Sequence, residues 1–489
     1  MKMKRILTAI CLALILCFAF CACGDDYIAR NGRDLNLYEI DATYDETTHV
    51  LSGCETFHYR NDCDVAFSSL KFHLYPNAYR QGGTLATKNA VAFSTPATYG
   101  GITLDQVSVN GEQATYRVTG TDYDILEVEL PQELYTGESV SVQMTFQVQM
   151  PGARHRLGFG EHTVNFGNWY PVLCATQRNE FVCDPYYSMG DPFYSEMANY
   201  HVTLRLPKDY VLASGGNLTE RTEEENEVVY RLEATSVRDF AFLCSKEYQH
   251  VSAEKNGTTV HYYYFNDQDP QNSLQTACDA LATFSDAFGK YPYEQYTVAE
   301  AEFHQGGMEY PNLSYITTGL DQETYRQVIV HETAHQWWYG LVGNDEVRHA
   351  WMDEGLAEFS TAYFYEQNPS YNVSYQMMLL RCEKTYTSYV KVLQALDGIS
   401  TKMERTLGEF PTEREYTLCT YHKGMLLFDS LRQVTGDKFF IGLRKYFEKY
   451  RCKNAEPEDM IACFERAFGG TLSDWFDAWL QGNVVIGEA

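Results

Sequence analysis

Two histidines spaced four residues apart carry the strongest chemical signal in this chain of 489 residues. They are His331 and His335, in the run His-Glu-Thr-Ala-His, and the six residues before this run include no glycine or proline. Positions four apart share one face of an α-helix, so both imidazoles would point at one spot with Glu332 beside it. Two imidazoles and a neighbouring carboxylate are the groups with which a protein binds Zn²⁺ and activates a water molecule.

A catalytic zinc site needs a third protein ligand and leaves one coordination position open. Glu354 can supply that ligand, with 18 residues between it and His335. The gap predicts that the first helix continues past His335, that the chain turns near Gly343, and that a second helix begins before Glu354. Glu358 follows one helical turn later, either orienting a ligand histidine or serving as an ordinary carboxylate on the helix face. The sequence thus predicts one Zn²⁺ per chain, although other first-row ions suit the same ligand types.

These residues resemble the catalytic motif of the gluzincin zinc aminopeptidases, the family of aminopeptidase N. Two further segments are similar to family motifs and follow in the family's order. The run Gly306-Gly307-Met308-Glu309-Tyr310 is similar to the exopeptidase motif G-x-M-E-N, and Tyr421-His422-Lys423-Gly424 is similar to the motif Y-x-K-G. The resemblance extends more weakly from about Tyr38 to the C-terminus.

The resemblance implies a catalytic role for each of two reacting groups. Glu332 would be the general base that takes a proton from water and passes it to the leaving amine. Tyr421 would stabilise the oxyanion that develops on the scissile carbonyl, with Tyr416 as its nearest competitor in the sequence.

The exopeptidase motif implies how the substrate would be held. Glu309 would bind the free α-ammonium group of a peptide, since an internal peptide would leave this carboxylate unpaired. Gly306, Gly307 and Met308 would lie beside the substrate backbone, as a strand does. The family's asparagine is replaced by Tyr310, which puts the last hydrogen bond of the motif in question.

The first residues have the composition of an export signal. A basic start is followed by an apolar run from Ile6 to Phe20 and then by a small residue before Cys23. This arrangement predicts a signal peptide over residues 1–22, a lipidated Cys23, and a tether that reaches residue 34. The protein is then expected outside the cytoplasm, anchored to the cell membrane by its lipid. Ordinary cleavage that yields a secreted protein, and an uncleaved anchor, are the alternatives.

Two domains are expected beyond the tether. Residues 35–247 alternate polar and apolar side chains, for example over 140–148, which predicts an antiparallel β domain. This part resembles the family's saddle-like domain, in which Trp169-Tyr170-Pro171 would lie near the substrate and 237–242 would form a closing strand. Residues 248–489 mix strands with helices and resemble a thermolysin-like α+β catalytic domain, mostly helical at its C-terminal end. The resemblance implies a short form that lacks the family's large C-terminal helical domain.

The overall charge argues against a nucleic-acid ligand. The formal net charge is −28 with a pI near 4.8, whereas phosphate binding needs a basic face. Ten cysteines follow Cys23, and none of them forms a C-x-x-C pair. Three pairs are close enough in sequence to close short loops by disulfides, with buried free thiols as the alternative: Cys54 and Cys63, Cys174 and Cys183, and Cys452 and Cys463.

These observations favour a zinc-dependent aminopeptidase that hydrolyses N-terminal residues from peptides. Its partners would be peptides with a free N-terminus and the membrane surface that its lipid anchor enters. A zinc endopeptidase on the same scaffold is the nearest alternative, and the run around Glu309 disfavours it. A catalytically silent peptide-binding lipoprotein is a further alternative, although every residue of the proposed machinery is present.

Overall fold

A computed structural model of the protein describes residues 27–395 and 400–484. The signal peptide and Cys23 lie outside the described residues. Of the helices within those two ranges, none combines the length and the apolar character that crossing a bilayer requires.

The first half of the chain consists mostly of strands, as the alternating pattern predicts. Two short helices, α1 (Tyr27–Gly32) and α2 (Thr84–Lys88), accompany them. The strands are β1 (Asn36–Asp45), β2 (Val50–Arg60), β3 (Phe67–His73), β4 (Gly101–Val109), β5 (Glu112–Gln113), β6 (Tyr116–Thr119), β7 (Ile125–Leu134), β8 (Ser139–Gln149), β9 (Leu157–Phe159), β10 (Val164–Phe166), β11 (Val172–Leu173), β12 (Thr176–Gln177), β13 (Glu180–Phe181), β14 (Ala198–Pro207), β15 (Val211–Ser214), β16 (Asn217–Glu223), β17 (Glu227–Val237) and β18 (Phe242–Ser245).

An eight-stranded sheet dominates this half, in the order β16-β17-β14-β1-β2-β8-β4-β5. Along β8, valine, methionine and phenylalanine side chains are buried at every second position, so one face of the sheet covers the core. All neighbours in this sheet are antiparallel except β1 and β14, which run parallel. Two four-stranded sheets, β15-β18-β10-β9 and β11-β3-β7-β6, complete the packing.

The second half combines a small sheet with many helices. Its strands are β19 (Gln249–Lys255), β20 (Thr258–Tyr264), β21 (Gln295–Ala301), β22 (Gly307–Met308), β23 (Leu313–Thr317), β24 (Val342–Gly343) and β25 (Lys453–Asn454). Its helices are α3 (Pro270–Phe288), α4 (Gln322–Ala334), α5 (Glu346–His349), α6 (Trp351–Gln367), α7 (Tyr375–Gln394), α8 (Glu413–Thr417), α9 (Lys423–Thr435), α10 (Lys438–Tyr450), α11 (Pro457–Phe468) and α12 (Ser473–Leu480). The five-stranded sheet has the order β19-β20-β21-β23-β22, which leaves β22 at an edge.

The fold differs from the expectation at the ends of two elements. The first zinc-motif helix ends at Ala334 instead of continuing past His335, and the chain reverses through Tyr339, whose φ is 137°. The predicted closing strand over 237–242 is interrupted between β17 and β18. Arg238 and Asp239 are buried there, and their side chains turn inward to hydrogen-bonding partners instead of alternating as a strand requires.

Trp169 and Tyr170 lie in the core and do not approach the substrate cleft described below. Both side chains are fully buried. The indole of Trp169 donates to the carbonyl of Phe240 at 3.0 Å, and the hydroxyl of Tyr170 donates to Asp239 at 2.8 Å. Neither residue lines the cleft described below, and their polar atoms are satisfied inside the β domain.

Candidate metal centre and active site

The end of α4 sets the positions of the two histidines. The helix begins after Asp321, whose carboxylate accepts hydrogen bonds from the backbone N–H groups of Glu323 and Thr324 at 3.1 Å each. His331 lies in its last turn and His335 follows its last residue. Nδ1 of His335 donates to the carbonyl of Trp338 at 3.0 Å, which turns Nε2 towards His331.

Helix α6 brings Glu354 to the same spot from the other side. Nε2 of His331 lies 3.1 Å from Nε2 of His335, and each of these atoms lies 3.3 Å from the same carboxylate oxygen of Glu354. Four ligands at about 2.0–2.1 Å from one tetrahedral ion are spaced about 3.3 Å apart. The three donor atoms therefore already occupy three corners of a tetrahedron that fits Zn²⁺. They form the one such group of potential metal ligands among the described residues.

The three donor atoms of His331, His335 and Glu354 form a triangle that neighbouring charges stabilise. Oε1 of Glu358 lies 3.3 Å from Nδ1 of His331, the ring nitrogen that faces away from Glu354. Burial disfavours the charged form of Glu354, but hydrogen bonds from His331 and His335 outweigh it and lower the pKa of this carboxyl to about 2. The ligand carboxylate is therefore held ionised, as metal binding requires.

Glu332 lies beside the triangle against the backbone of β22. Its side chain is buried and one carboxylate oxygen has no hydrogen-bond partner. Burial raises the pKa of Glu332 to about 7, against the opposing effect of the two imidazoles. A carboxylate that is desolvated, unpartnered and next to the metal ligands has the environment that a general base needs.

The two glycines before Met308 should respond very differently to substitution. A Cβ atom on Gly307 would lie 2.4 Å from Oε1 of Glu332, whereas one on Gly306 would meet only Val328, at 3.6 Å. We expect Gly307→Ala to displace Glu332 and to lower kcat/KM about a hundredfold. Gly306→Ala is the comparison: it also lines the cleft but adds no contact with Glu332, so its loss should be clearly smaller. Similar rates for both variants in a peptidase assay would contradict this account of Gly307.

The carboxylate of Glu309 lies at the end of this edge strand. It is buried, and its Oε1 has no hydrogen-bond partner. Burial, followed by the charge of Asp191, raises the pKa of Glu309 well above its usual range. A buried carboxylate with a free oxygen is stabilised when a cationic group arrives beside it.

Tyr310, which stands where the family's motif has asparagine, makes two hydrogen bonds. Its hydroxyl donates to Oδ1 of Asn168 at 3.0 Å, and its carbonyl accepts from the side chain of Gln336 at 3.1 Å. The phenol fits because residue 167 is glycine: a Cβ there would lie 1.8 Å from the hydroxyl oxygen of Tyr310. The exopeptidase segment is thereby fixed both to the β domain and to the loop after the metal-binding helix.

Tyr421 reaches the metal centre from a single π-helical turn, Leu418–His422, that joins α8 to α9. Its hydroxyl donates to Oε1 of Glu354, and its ring stacks on His331 with centroids 6.0 Å apart. Two glycines permit this approach, since a Cβ on Gly424 would lie 2.7 Å from Cα of Gly355. The last glycine of the Y-x-K-G motif therefore lets α9 pack directly on α6.

Tyr416 also lines the cleft, and its hydroxyl lies close to Gly190. It is buried and has no hydrogen-bond partner, and a Cβ on Gly190 would lie 2.8 Å from the hydroxyl oxygen. The structure thus brings Tyr421 into contact with a metal ligand and places the hydroxyl of Tyr416 against the loop that holds Gly190.

Arg156 and Asp191 complete the cleft, and the sequence pattern did not indicate either. The buried guanidinium of Arg156 donates to Asp191, to the carbonyl of Gly190 at 3.0 Å, and through Nε to the sulfur of Met308 at 3.1 Å. Both residues come from the β domain, far along the chain from the zinc motif.

The three ligand residues lie at one cleft of about 270 Å³, together with Glu332, Glu309 and Tyr421. Its lining includes six carboxylates and one guanidinium. These residues are Asp191, Glu309, Glu332, Glu354, Glu358, Glu413 and Arg156. Such an excess of negative charge favours a cationic ligand in addition to the metal ion.

Known proteins show the same combination of motif and fold. Residues 272–479 match the Peptidase family M1 domain. Aminopeptidase M1-A of Oryza sativa is 27% identical over 59% of this chain and 35% of its own length. Aminopeptidase N of Lactococcus lactis is 28% identical over 46% of this chain and 28% of its own length. The chain thus spans about a third of the length of these two relatives.

A solved structure extends the likeness to the whole fold. The M1 zinc metallopeptidase of Deinococcus radiodurans superposes with a TM-score of 0.67 at 17% identity, covering 93% of this chain and 96% of the other. A variant of that protein bound to a Tyr-Ser-Ala substrate superposes with a TM-score of 0.66. Both halves of the chain thus have the arrangement of a two-domain M1 metallopeptidase. The segment that is similar to the Peptidase family M1 domain contains all three members of the His-His-Glu triangle.

Proposed function

We propose that the protein is a zinc-dependent aminopeptidase that removes single residues from the free N-terminus of peptides. The observation that carries this proposal is the buried carboxylate of Glu309, whose Oε1 has no hydrogen-bond partner, in the same cleft as His331, His335 and Glu354. A metal centre alone would not distinguish the first peptide bond of a chain from an internal one. A desolvated carboxylate beside it requires a cation, and the cation that a peptide offers next to its first bond is its α-ammonium group.

His331, His335 and Glu354 would hold the ion. When bound, Zn²⁺ polarises the scissile carbonyl and lowers the pKa of the attacking water. Glu332 takes the proton of that water on its free oxygen and delivers it to the leaving amine nitrogen. The phenol of Tyr421 donates a hydrogen bond to the carbonyl oxygen as negative charge develops there, which stabilises the transition state more than the ground state.

The substrate backbone would be aligned by β22. This strand pairs with β23 on one side only, so its other side offers backbone hydrogen bonds to an added strand. Glu309 and Asp191 then receive the ammonium group at the end of that strand. Arg156 holds Asp191 and Met308 at once, so it fixes the spacing between the two acidic groups and the edge strand.

A blocked substrate tests the role of Glu309 directly. We expect an aminoacyl chromogenic amide to be hydrolysed and its N-acetylated form to resist hydrolysis, because acetylation removes the positive charge. Glu309→Gln should lower kcat/KM for the free amine about tenfold to a hundredfold. Glu413→Gln, at the exposed mouth of the same cleft, is the matched control. Equal cleavage of the two substrates would point to an endopeptidase, and turnover of neither would point to a silent binding protein.

Removal of the metal should abolish the activity. We expect a chelator to reduce hydrolysis to the background rate and added Zn²⁺ to restore it, because the remaining groups cannot polarise the carbonyl alone. Metal analysis of the purified protein should find about one zinc per chain. Full activity in a protein freed of metal would contradict the proposal.

We also propose that the protein acts outside the cytoplasm on a lipid anchor at Cys23. The basic start, the apolar run and the small residue before Cys23 support this proposal. Cys23→Ala should abolish labelling by a radioactive fatty acid and release the protein from the membrane fraction. Cys21→Ala is the matched control and should leave both unchanged. Membrane association that persists in Cys23→Ala would favour an uncleaved anchor.

A further inference from the structure

We propose that Cys174 and Cys183 are an oxidative modification site. An organic disulfide oxidises the two thiols, and the bond that forms between them ties the loop over 184–191, which supplies Asp191 to the cleft, to the β domain. Their sulfur atoms are 3.8 Å apart. None of the other cysteines of the described residues makes a hydrogen bond to a second cysteine, including the pairs Cys54 with Cys63 and Cys452 with Cys463.

A tight hairpin sets this proximity. Strands β12 and β13 pair with Thr176 opposite Phe181 and Gln177 opposite Glu180. The two turn residues, Arg178 and Asn179, both have positive φ, which is the two-residue turn that matches the twist of a hairpin. The ladder continues outward, because the N–H of Val182 donates to the carbonyl of Ala175 at 2.8 Å.

Cys174 and Cys183 are the next facing pair beyond that hydrogen bond. In an antiparallel ladder this is a pair without mutual hydrogen bonds, with Cα atoms about 4.5 Å apart. Disulfides span Cα separations of about 4.4–6.8 Å, so the backbone already suits the bond. Rotation of the two side chains is enough to bring the sulfur atoms together.

The two thiols differ in exposure and in pKa, so one of them reacts with the oxidant before the other. Cys183 is half-buried, and its hydrogen bond with Cys174, helped by the charge of Lys71, lowers its pKa. Cys174 is fully buried, and burial raises the pKa of its thiol. Cys183 is therefore the thiolate that an oxidant meets first, and Cys174 is the thiol that resolves the intermediate.

The exchange balances without a metal or cofactor. The thiolate of Cys183 attacks one sulfur of the oxidant, forms a mixed disulfide and expels one thiolate. The sulfur of Cys174 then attacks Sγ of Cys183, loses its proton and expels the second thiol. The protein loses two electrons and two protons, and the organic disulfide is reduced to two thiols.

The bond would fix the chain where it leaves the β domain for the cleft. Cys174 is joined to β3 by the hydrogen bond from its N–H to the carbonyl of Lys71 at 2.9 Å. Asp184 follows Cys183 and accepts two hydrogen bonds from Arg348, at 2.7 and 2.9 Å. The same loop continues to Asp191, so the disulfide would brace the start of the segment that supplies this acidic group.

Peptide mapping of the purified full-length protein tests the proposal, because trypsin cleaves after Arg178, between the two cysteines. The folded protein is treated with glutathione disulfide, and its free thiols are then alkylated in acid. We expect peptide 157–178 joined to peptide 179–205, and dithiothreitol should separate them. Recovery of both peptides as alkylated thiols, or a cross-link from either cysteine to another site, would overturn the proposal.

Thermal unfolding supplies a second readout that does not depend on peptidase activity. Closing a loop of this size should raise the Tm of the oxidised protein by about 2–5 °C over the reduced protein. Cys183→Ser should abolish both the cross-link and the difference in Tm, while Cys463→Ser should keep both. A cross-link that leaves the Tm unchanged would overturn the bracing role of the bond.

Discussion

Glu332→Gln should lower kcat by about two to four orders of magnitude while leaving the zinc content at one ion per chain. Glutamine fills the same space beside Gly307 but cannot accept and return a proton. The binding of the substrate should change little, because Glu332 is neither a ligand of the triangle nor the partner proposed for the ammonium group. Steady-state kinetics and metal analysis on the same preparation measure both quantities.

A matched control lies on the same helix. Glu323 is exposed in the first turn of α4, about two turns before the zinc motif. Glu323→Gln should keep nearly the full kcat. If Glu332→Gln retained more than about a tenth of the parent kcat, proton transfer by Glu332 would account for too little of the rate, and Glu332 would not be the general base.

Tyr421→Phe should lower kcat about a hundredfold to a thousandfold, with a much smaller change in KM. The ring can keep its stacking on His331, so the variant isolates the hydroxyl group. The loss should appear mainly in kcat because the hydrogen bond strengthens as the carbonyl oxygen acquires charge. A loss confined to KM would mean that the hydroxyl binds the ground state instead.

Tyr416→Phe is the comparison that assigns the role to one of the two tyrosines. Its hydroxyl lies against Gly190, whereas that of Tyr421 contacts a metal ligand. We expect a clearly smaller loss of kcat in Tyr416→Phe than in Tyr421→Phe. The reverse order would transfer the oxyanion role to Tyr416.

The features that the sequence predicted correctly are those that local periodicity determines. Four-residue spacing on a helix is enough to bring His331 and His335 together, and it places Glu354 and Glu358 on one face of α6. The strands of the β domain are predictable for the same reason, because alternate burial is a property of each strand by itself.

The features that the sequence missed depend on contacts between distant segments. Arg156 and Asp191 are joined across 35 residues, and neither stands in a motif. Trp169 and Tyr170 are buried because of Asp239 and Phe240, which only the folded sheet brings near. The helix ends at Ala334 because the following residues form a reversal closed by backbone hydrogen bonds, such as that from Tyr339 N–H to the carbonyl of Val342 at 2.9 Å.

The contact between Tyr310 and Gly167 constrains how this sequence can diverge over evolutionary time. A lineage that replaces Gly167 by any larger residue must first lose the phenol. One that places asparagine at position 310 leaves a void and removes the donor to Oδ1 of Asn168, whose Nδ2 keeps its hydrogen bond to Asp239. Either single step passes through a poorly packed intermediate, so the two positions are expected to change together or not at all. Proteins with the same fold and asparagine at the equivalent of position 310 should therefore accept a side chain at the equivalent of position 167.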